Sequence, residues 1–236
     1  MAIEPDHITG QDASLMHDHG RYRSLVVGVV LAGGQSRRMG GGDKSLRVLE
    51  GRPMIAHVIE RLARQTGAVV ISANGDPERF SGFGLPVVAD AVGGFAGPLA
   101  GVHAGMRWAL ENAPGARWIA TAATDTPFFP EDLVVRLAGA NGHHERMIAL
   151  ASSGEREHPV FGLWPVALAD DLENALTVQS MRKVLDWVER HPNARARFSG
   201  PVIDGIEIDP FFNVNTPEDM ETASVVAAAL AEEHRA

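Results

Sequence analysis

The stretch LVVGVVLAGGQSRRMGGGDK, residues 25–44, is an apolar run that breaks into a loop holding five glycines, two arginines and a lysine. Six to eight apolar residues in a row read as a buried strand. Glycines let the following backbone take positive φ and bring bare N–H groups close to an anion, while Arg and Lys add charge-assisted donors. Two familiar phosphate loops are excluded by the letters: Asp43 separates Gly42 from Lys44, so there is no Walker A sequence, and Gly40-x-Gly42 runs into Ser45 rather than completing G-x-G-x-x-G. What remains is a cradle for a phosphorylated ligand. A flexible surface loop is the alternative, but it has no reason to sit at the carboxyl end of a buried strand.

Outward from this loop, strands alternate with helices. A helix begins near Pro53 (PMIAHVIERLARQT), followed by strand AVVISA at 68–73, a turn at Asn74-Gly75-Asp76-Pro77 and a short strand LPVVAD ending at Asp90. A helix follows Pro98, and strand WIATAA at 118–123 is terminated by Thr124-Asp125-Thr126-Pro127. A helix over about 130–138, strands at 147–152 and 158–164, and helices near 165–176 and 180–190 come next. The last helix runs from Pro217 to about Glu233, behind a capping-box-like Thr216-Pro-Glu-Asp219. This alternation predicts an α/β fold in a single domain, a mostly parallel sheet with helices on both faces. Ligands of such sheets bind outside the carboxyl ends of the strands. The glycine loop, Asn74, Asp90 and Asp125 each close a predicted strand, so all four converge on one crevice.

Composition narrows the partners. With 236 residues, 45% hydrophobic and 22% charged, the chain fits one globular domain, residues 25–236, behind a polar extension at 1–24 that reads as disordered. His7, His17 and His19 in that extension read as solvated side chains rather than a metal site. The absence of cysteine excludes disulfides, thiolate metal sites and cysteine nucleophiles. Residues 1–24 lack the basic start and apolar centre of a signal peptide, and no apolar run is long enough to span a bilayer, which points to the cytoplasm and to no membrane partner. A net charge of −9 argues against a nucleic-acid binder. Residues 33–52 run against that balance: Arg37, Arg38, Lys44, Arg47 and Arg52 face only Asp43 and Glu50, a local +3. The chain has two lysines, Lys44 and Lys183, so a lysine inside the glycine loop suggests a compact point charge.

Each polar residue at the predicted edge has two readings. Asp125 suits Mg²⁺, which takes one or two carboxylates plus phosphate oxygens and water, or it caps the turn before Pro127. Asn74 and Asp90 orient a ribose or base, or end their strands. His158 acts on a proton or bonds an edge strand. Asn213 and Asn215 face the crevice or enter the last helix. Arg182 and Lys183, at the start of a predicted helix, meet a second anionic group or form a solvated face.

Taken together, LAGGQSRRMGGGDK, ISAN at 71–74, VVAD at 87–90, GPLAG at 97–101, TDTP at 124–127, EREHP at 155–159 and NVNTPED at 213–219 resemble the molybdenum cofactor guanylyltransferase (MobA) family, over residue 25 to the end. The resemblance implies a Rossmann-like nucleotidyltransferase fold and transfer of GMP from GTP to the terminal phosphate of molybdenum-molybdopterin, with release of pyrophosphate. It puts GTP contacts on Leu31, Ala32, Gly33, Gly34, Lys44, Asn74, Asp90 and Asp125, catalytic roles on Lys44, Asp125 and Arg38, and the Mg²⁺ ligand on Asp125. His158, Arg182, Asn213 and Asn215 fall to the pterin, and molybdoenzymes or their chaperones become transient partners. Related cytidylyltransferases read LAAG where this chain has LAGG at 31–34, which favours guanine. A same-fold cytidylyltransferase or sugar-1-phosphate nucleotidyltransferase, and a non-catalytic adaptor for pterin or nucleotide, are the competing readings.

Overall fold

The structure is a computed structural model that describes residues 22–33, 44–90, 97–203 and 205–233. Residues 1–21, and with them most of the predicted extension, lie outside the described residues, as do Gly34, Arg37 and Arg38. Tyr22 and Arg23 already belong to the folded body. The Tyr22 ring stacks on Trp118 at 5.3 Å, and Arg23 Nε donates to Thr66 O at 2.8 Å.

In chain order the structure begins with β1 (Val26–Leu31), a hairpin of β2 (Val48–Leu49) and β3 (Arg52–Pro53), then α1 (Met54–Gln65), β4 (Ala68–Ser72) and β5 (Val87–Val88). Next come α2 (Pro98–Asn112), β6 (Trp118–Ala123), α3 (Leu133–Ala140), β7 (Ile148–Ser153) and β8 (Arg156–Pro165). The chain continues with α4 (Ala169–Thr177), α5 (Val184–Val188), β9 (Asn193–Arg197), a hairpin of β10 (Val202–Ile203) and β11 (Ile206–Glu207), and α6 (Pro217–Glu233). Seven strands form the central sheet in the order β5-β4-β1-β6-β8-β7-β9. All pair in parallel except β8, which runs against both of its neighbours.

Alternate residues of β1 feed two cores. Val26 and Val30 pack with Ile55, Val58 and Leu62 of α1 and Leu133 and Leu137 of α3. Val27 and Val29 pack with Leu99, Val102 and Met106 of α2 and Leu172 of α4. Period-2 alternation in a strand thus buries both faces, the condition for a parallel sheet under helices. Close approach explains two glycines: a Cβ on Gly28 would stand 2.7 Å from Leu62 Cγ, and one on Gly105 would stand 2.5 Å from Val29 Cγ2. No helix among the described residues is long and apolar enough to cross a membrane.

The structure shifts several predicted boundaries. The helix expected from residue 130 starts at Leu133, and the one expected over 180–190 is only Val184–Val188. Ser180 has φ +53°, in the left-handed region, which stops a helix there. Strand β9 and both hairpins were absent from the sequence reading. β9 is an edge strand whose NARAR sequence alternates small and charged residues, and Arg195 pairs with Glu157 and with Glu189, the latter at 2.9 Å.

Candidate active site

Level register is what brings the polar residues together. Leu31, the last residue of β1, stands opposite Ser72 of β4 on one side and Ala123 of β6 on the other, and Ser72 stands opposite Val88 of β5. Four parallel strands therefore end on one line, and Ala32 with Gly33, Asn74, Asp90 and Asp125 leave the sheet at the same edge. Among the described residues, nothing lies within 4 Å of where a Cβ on Gly33 would stand.

On the β6 side, Lys44 Nζ donates to Asp125 Oδ2 at 2.9 Å and also to Asn215 Oδ1, joining residues 81 and 171 positions apart. The pair is partly sheltered, with side chains 18% and 30% exposed. Three features hold it in place. Asp125 O accepts the Val214 N–H at 2.7 Å, Thr126 Oγ1 donates to Asn213 Oδ1 at 2.6 Å, and the Asp219 carboxylate accepts the N–H groups of Asn215 and Thr216, both at 2.8 Å. The Asp219 N–H returns to Thr216 Oγ1 at 3.1 Å, which completes the capping box at the head of α6.

These two backbone donors hold the Asp219 carboxyl below its ordinary range. A lowered carboxylate pKa adds stability that is complete above the unfolded value and is lost as pH falls through the folded one. Asp219→Ala is expected to cost about 1 kcal/mol, the usual scale of a lost cap, and about 2–4 °C in Tm at neutral pH. The difference from the parent protein should shrink in acid, and a Tm series against pH checks it.

On the β4–β5 side, Asn74 Nδ2 donates to Asp90 Oδ2 at 2.6 Å, and the Asp90 N–H donates to Asn74 Oδ1 at 3.0 Å. Arg79 anchors the turn by donating to Asn74 O at 2.8 Å. Burial raises the Asp90 carboxyl, partly offset by the Asn74 amide and by His103. Asn74 therefore ends its strand and clamps Asp90.

His158 lies at the other end of segment 209–215. Its Nε2 is 2.6 Å from Ser153 Oγ, and its ring packs on Phe211 at 4.4 Å. Ser153 in turn donates to Asp209 Oδ1 at 2.9 Å. Neither Ser153 nor Asp209 was singled out from the sequence, where no spacing links them to His158. Residues beside Arg182 belong to the other face of the sheet. Met181 and Val184 pack in the α2-side core, whereas Phe211 packs in the α1-side core, and Arg182 O would be the nearest atom, at 3.9 Å, to a Cβ on Gly97. Because α5 begins at Val184, Arg182 precedes that helix and does not start it. A cavity of about 180 Å³ between α1, α6 and residues 208–212 is lined mainly by Phe128, Pro130, Ile208, Pro210 and Phe212. Its apolar wall does not suit a triphosphate.

Among the described residues no three His, Asp or Glu side chains gather as a self-sufficient metal site. Asp125 offers one partly exposed carboxylate at the strand end. That donor set fits a Mg²⁺ ion whose other ligands are phosphate oxygens and water, the usual state of Mg²⁺ beside a nucleotide.

The chain resembles known proteins along most of its length. Residues 28–194 match the MobA-like NTP transferase domain. The chain is 52% identical over 199 residues to a molybdenum cofactor guanylyltransferase of Rhodopseudomonas palustris, covering 84% of this chain and 92% of that one. It is 49% identical over 202 residues to a molybdenum cofactor guanylyltransferase of Mesorhizobium japonicum, covering 86% and 96%. The crystal structure of molybdopterin-guanine dinucleotide biosynthesis protein A from Archaeoglobus fulgidus superposes with a TM-score of 0.62 at 22% identity, covering 86% of this chain and 99% of that one, which shows the shared fold. A nucleotidyltransferase sheet with its polar residues at one edge, together with these matches, makes the chain a member of the MobA-like NTP transferase family, among its molybdenum cofactor guanylyltransferases.

Proposed function

We propose that the chain transfers GMP from GTP to the terminal phosphate of molybdenum-molybdopterin, with Mg²⁺ held by Asp125. The observation that carries this reading is the contact of Lys44 with Asp125, a cation from the loop after β1 meeting a carboxylate from the end of β6. A phosphate oxygen of the acceptor attacks the α-phosphorus of GTP, and the bond to the β-phosphate breaks as pyrophosphate leaves. Such transfers depend on positioning and charge neutralisation, so the chain needs no nucleophilic side chain. Bound at Asp125, Mg²⁺ supplies neutralisation of charge on the phosphate oxygens.

The chain's own residues divide the rest of the task. Lys44 and Arg38 hold the triphosphate, along with the backbone N–H groups that follow β1. Leu31, Ala32, Gly33 and Gly34 offer backbone donors and acceptors to guanine, and the Asn74–Asp90 clamp fixes the nucleoside. Asn213, Asn215 and His158 line the acceptor side, with Arg182 a more distant contact. The reaction is assigned to the cytoplasm, with molybdoenzymes or their chaperones as transient recipients.

The test is pyrophosphate release from purified protein, Mg²⁺ and molybdenum-molybdopterin with GTP, CTP or UTP supplied singly. Release with GTP alone is expected. Equal or greater release with CTP would replace guanine by cytosine, and no release with any nucleotide would favour an adaptor. Lys44→Arg is expected to lower kcat/KM for GTP about tenfold, because a planar guanidinium does not reproduce a compact ammonium between Asp125 and Asn215. Its Tm should stay near that of the parent protein. Unchanged kcat/KM would make Lys44 peripheral.

A further inference from the structure

The cluster of Ser153, His158 and Asp209 contains the letters of a nucleophilic triad in a different arrangement. In such a triad the histidine accepts the serine proton on one ring nitrogen and is steadied by the carboxylate on the other. Here the serine hydroxyl stands between the other two groups. Ser153 Oγ is 2.9 Å from Asp209 Oδ1 and 2.6 Å from His158 Nε2, while Nε2 is 3.8 Å from Asp209 Oδ1, too far for a hydrogen bond. Asp209 Oδ1 also accepts the Phe211 N–H at 2.9 Å, which ties the carboxylate to its own turn.

Proton counting then fixes the roles. Ser153 has one hydroxyl proton, and an ionised Asp209 has none to give. The proton points to the charged acceptor, because a carboxylate makes the stronger hydrogen bond. The Nε2 contact is then satisfied only if Nε2 carries a hydrogen and donates it to Ser153 Oγ. A neutral imidazole protonated on Nε2 has a bare lone pair on Nδ1. Nδ1 has no hydrogen-bond partner among the described residues. The ring is 6% exposed and lies on Phe211, which holds its plane. Burial lowers the imidazole's pKa, opposed by Asp209 and assisted by Arg156.

We propose that Asp209 and Ser153 are positioning residues that hold His158 as its Nε2–H tautomer and so present Nδ1 as the hydrogen-bond acceptor for an N–H group of the acceptor substrate. The tautomer is a property of the free protein; only the donor's identity, a pterin amino or ring N–H, rests on the guanylyltransferase reading. Segment 209–215 gives the device its place, since the same seven residues that carry Asp209 end on Asn215 at Lys44.

Long-range proton–nitrogen NMR on the full chain labelled with ¹⁵N-histidine, with His158→Gln to assign the resonance, tests the proposal. At neutral pH the parent protein is expected to show the Nε2–H form. Asp209→Ala frees the serine proton to point at Nε2, so His158 should shift toward Nδ1–H. Asp209→Asn keeps an oxygen acceptor and should keep the parent tautomer. If Asp209→Ala does not fold, the tautomer of the parent protein decides the question by itself. An Nδ1–H or charged ring in the parent protein, or an unaltered tautomer in a folded Asp209→Ala, overturns the proposal. In kinetics, Asp209→Ala should raise KM for molybdenum-molybdopterin roughly tenfold, the loss of about one hydrogen bond, and leave KM for GTP within about twofold. Equal rises in both would refute the positioning role. Failure of the parent protein to transfer GMP would sink the functional reading and the donor's identity, while the NMR result would still decide the tautomer.

Discussion

Asp125→Ala is expected to lower GMP transfer by about 10³-fold or more and to move Tm by less than about 2 °C. The activity term rests on where the carboxylate stands. Groups that meet charge as it moves between phosphates are each worth about 10²–10³ in rate, and this one is assigned the metal as well. The stability term is small for two reasons. The Lys44–Asp125 pair is partly open to solvent, and pairs of that kind contribute about 0–1 kcal/mol. The backbone bond from Val214 N to Asp125 O does not involve the side chain, so the turn keeps its anchor, and Lys44 keeps Asn215 as a partner. Asp125→Asn retains the shape without the charge and should fall nearly as far. Pyrophosphate release under saturating GTP, alongside a melting curve, reads both numbers. Activity within tenfold of the parent protein would remove Asp125 from the reaction.

Much of the edge was legible because a parallel sheet converts sequence order into position. Asn74, Asp90 and Asp125 each follow an apolar run by one to three residues, and level register then places them together whatever lies between. The capping box at Thr216–Asp219 was equally local, since its partners are three residues apart. What escaped was set by pairing across the fold. Asp209 reaches Ser153 over 56 residues, and neither belongs to a local pattern. The two-residue strands β2, β3, β10 and β11 are too short for any period to appear. The helix before Arg190 was read as starting too early because the reading ran through Ser180, whose backbone is left-handed and whose letter does not say so.

Thr121→Val, nearly isosteric, is expected to cost about 3–4 kcal/mol and roughly 8–12 °C in Tm. Thr121 is fully buried on β6 at the point where ordinary pairing with β8 stops, since the last matched pair is Ala120 with Leu163. On the other side of β8, register with β7 slips from Gly162 opposite Leu150 to His158 opposite Ala151, which leaves residues 159–161 outside the ladder. The Thr121 hydroxyl takes over there. It donates to Val160 O at 2.7 Å and accepts from Trp164 Nε1 at 2.8 Å and Gly162 N at 3.3 Å, using its full capacity. Valine fills the same space and leaves two donors and a carbonyl unpaired in the core, where each unpaired group costs about 1–3 kcal/mol before the structure relaxes. Thr121→Ser keeps the hydroxyl and loses one methyl, so it should cost only about 1 kcal/mol. His158 is the first residue matched beyond this irregularity, so the valine variant should also raise KM for the acceptor more than KM for GTP. Equal melting temperatures for the serine and valine variants would mean that packing, and not this hydroxyl, holds β8 in its displaced register.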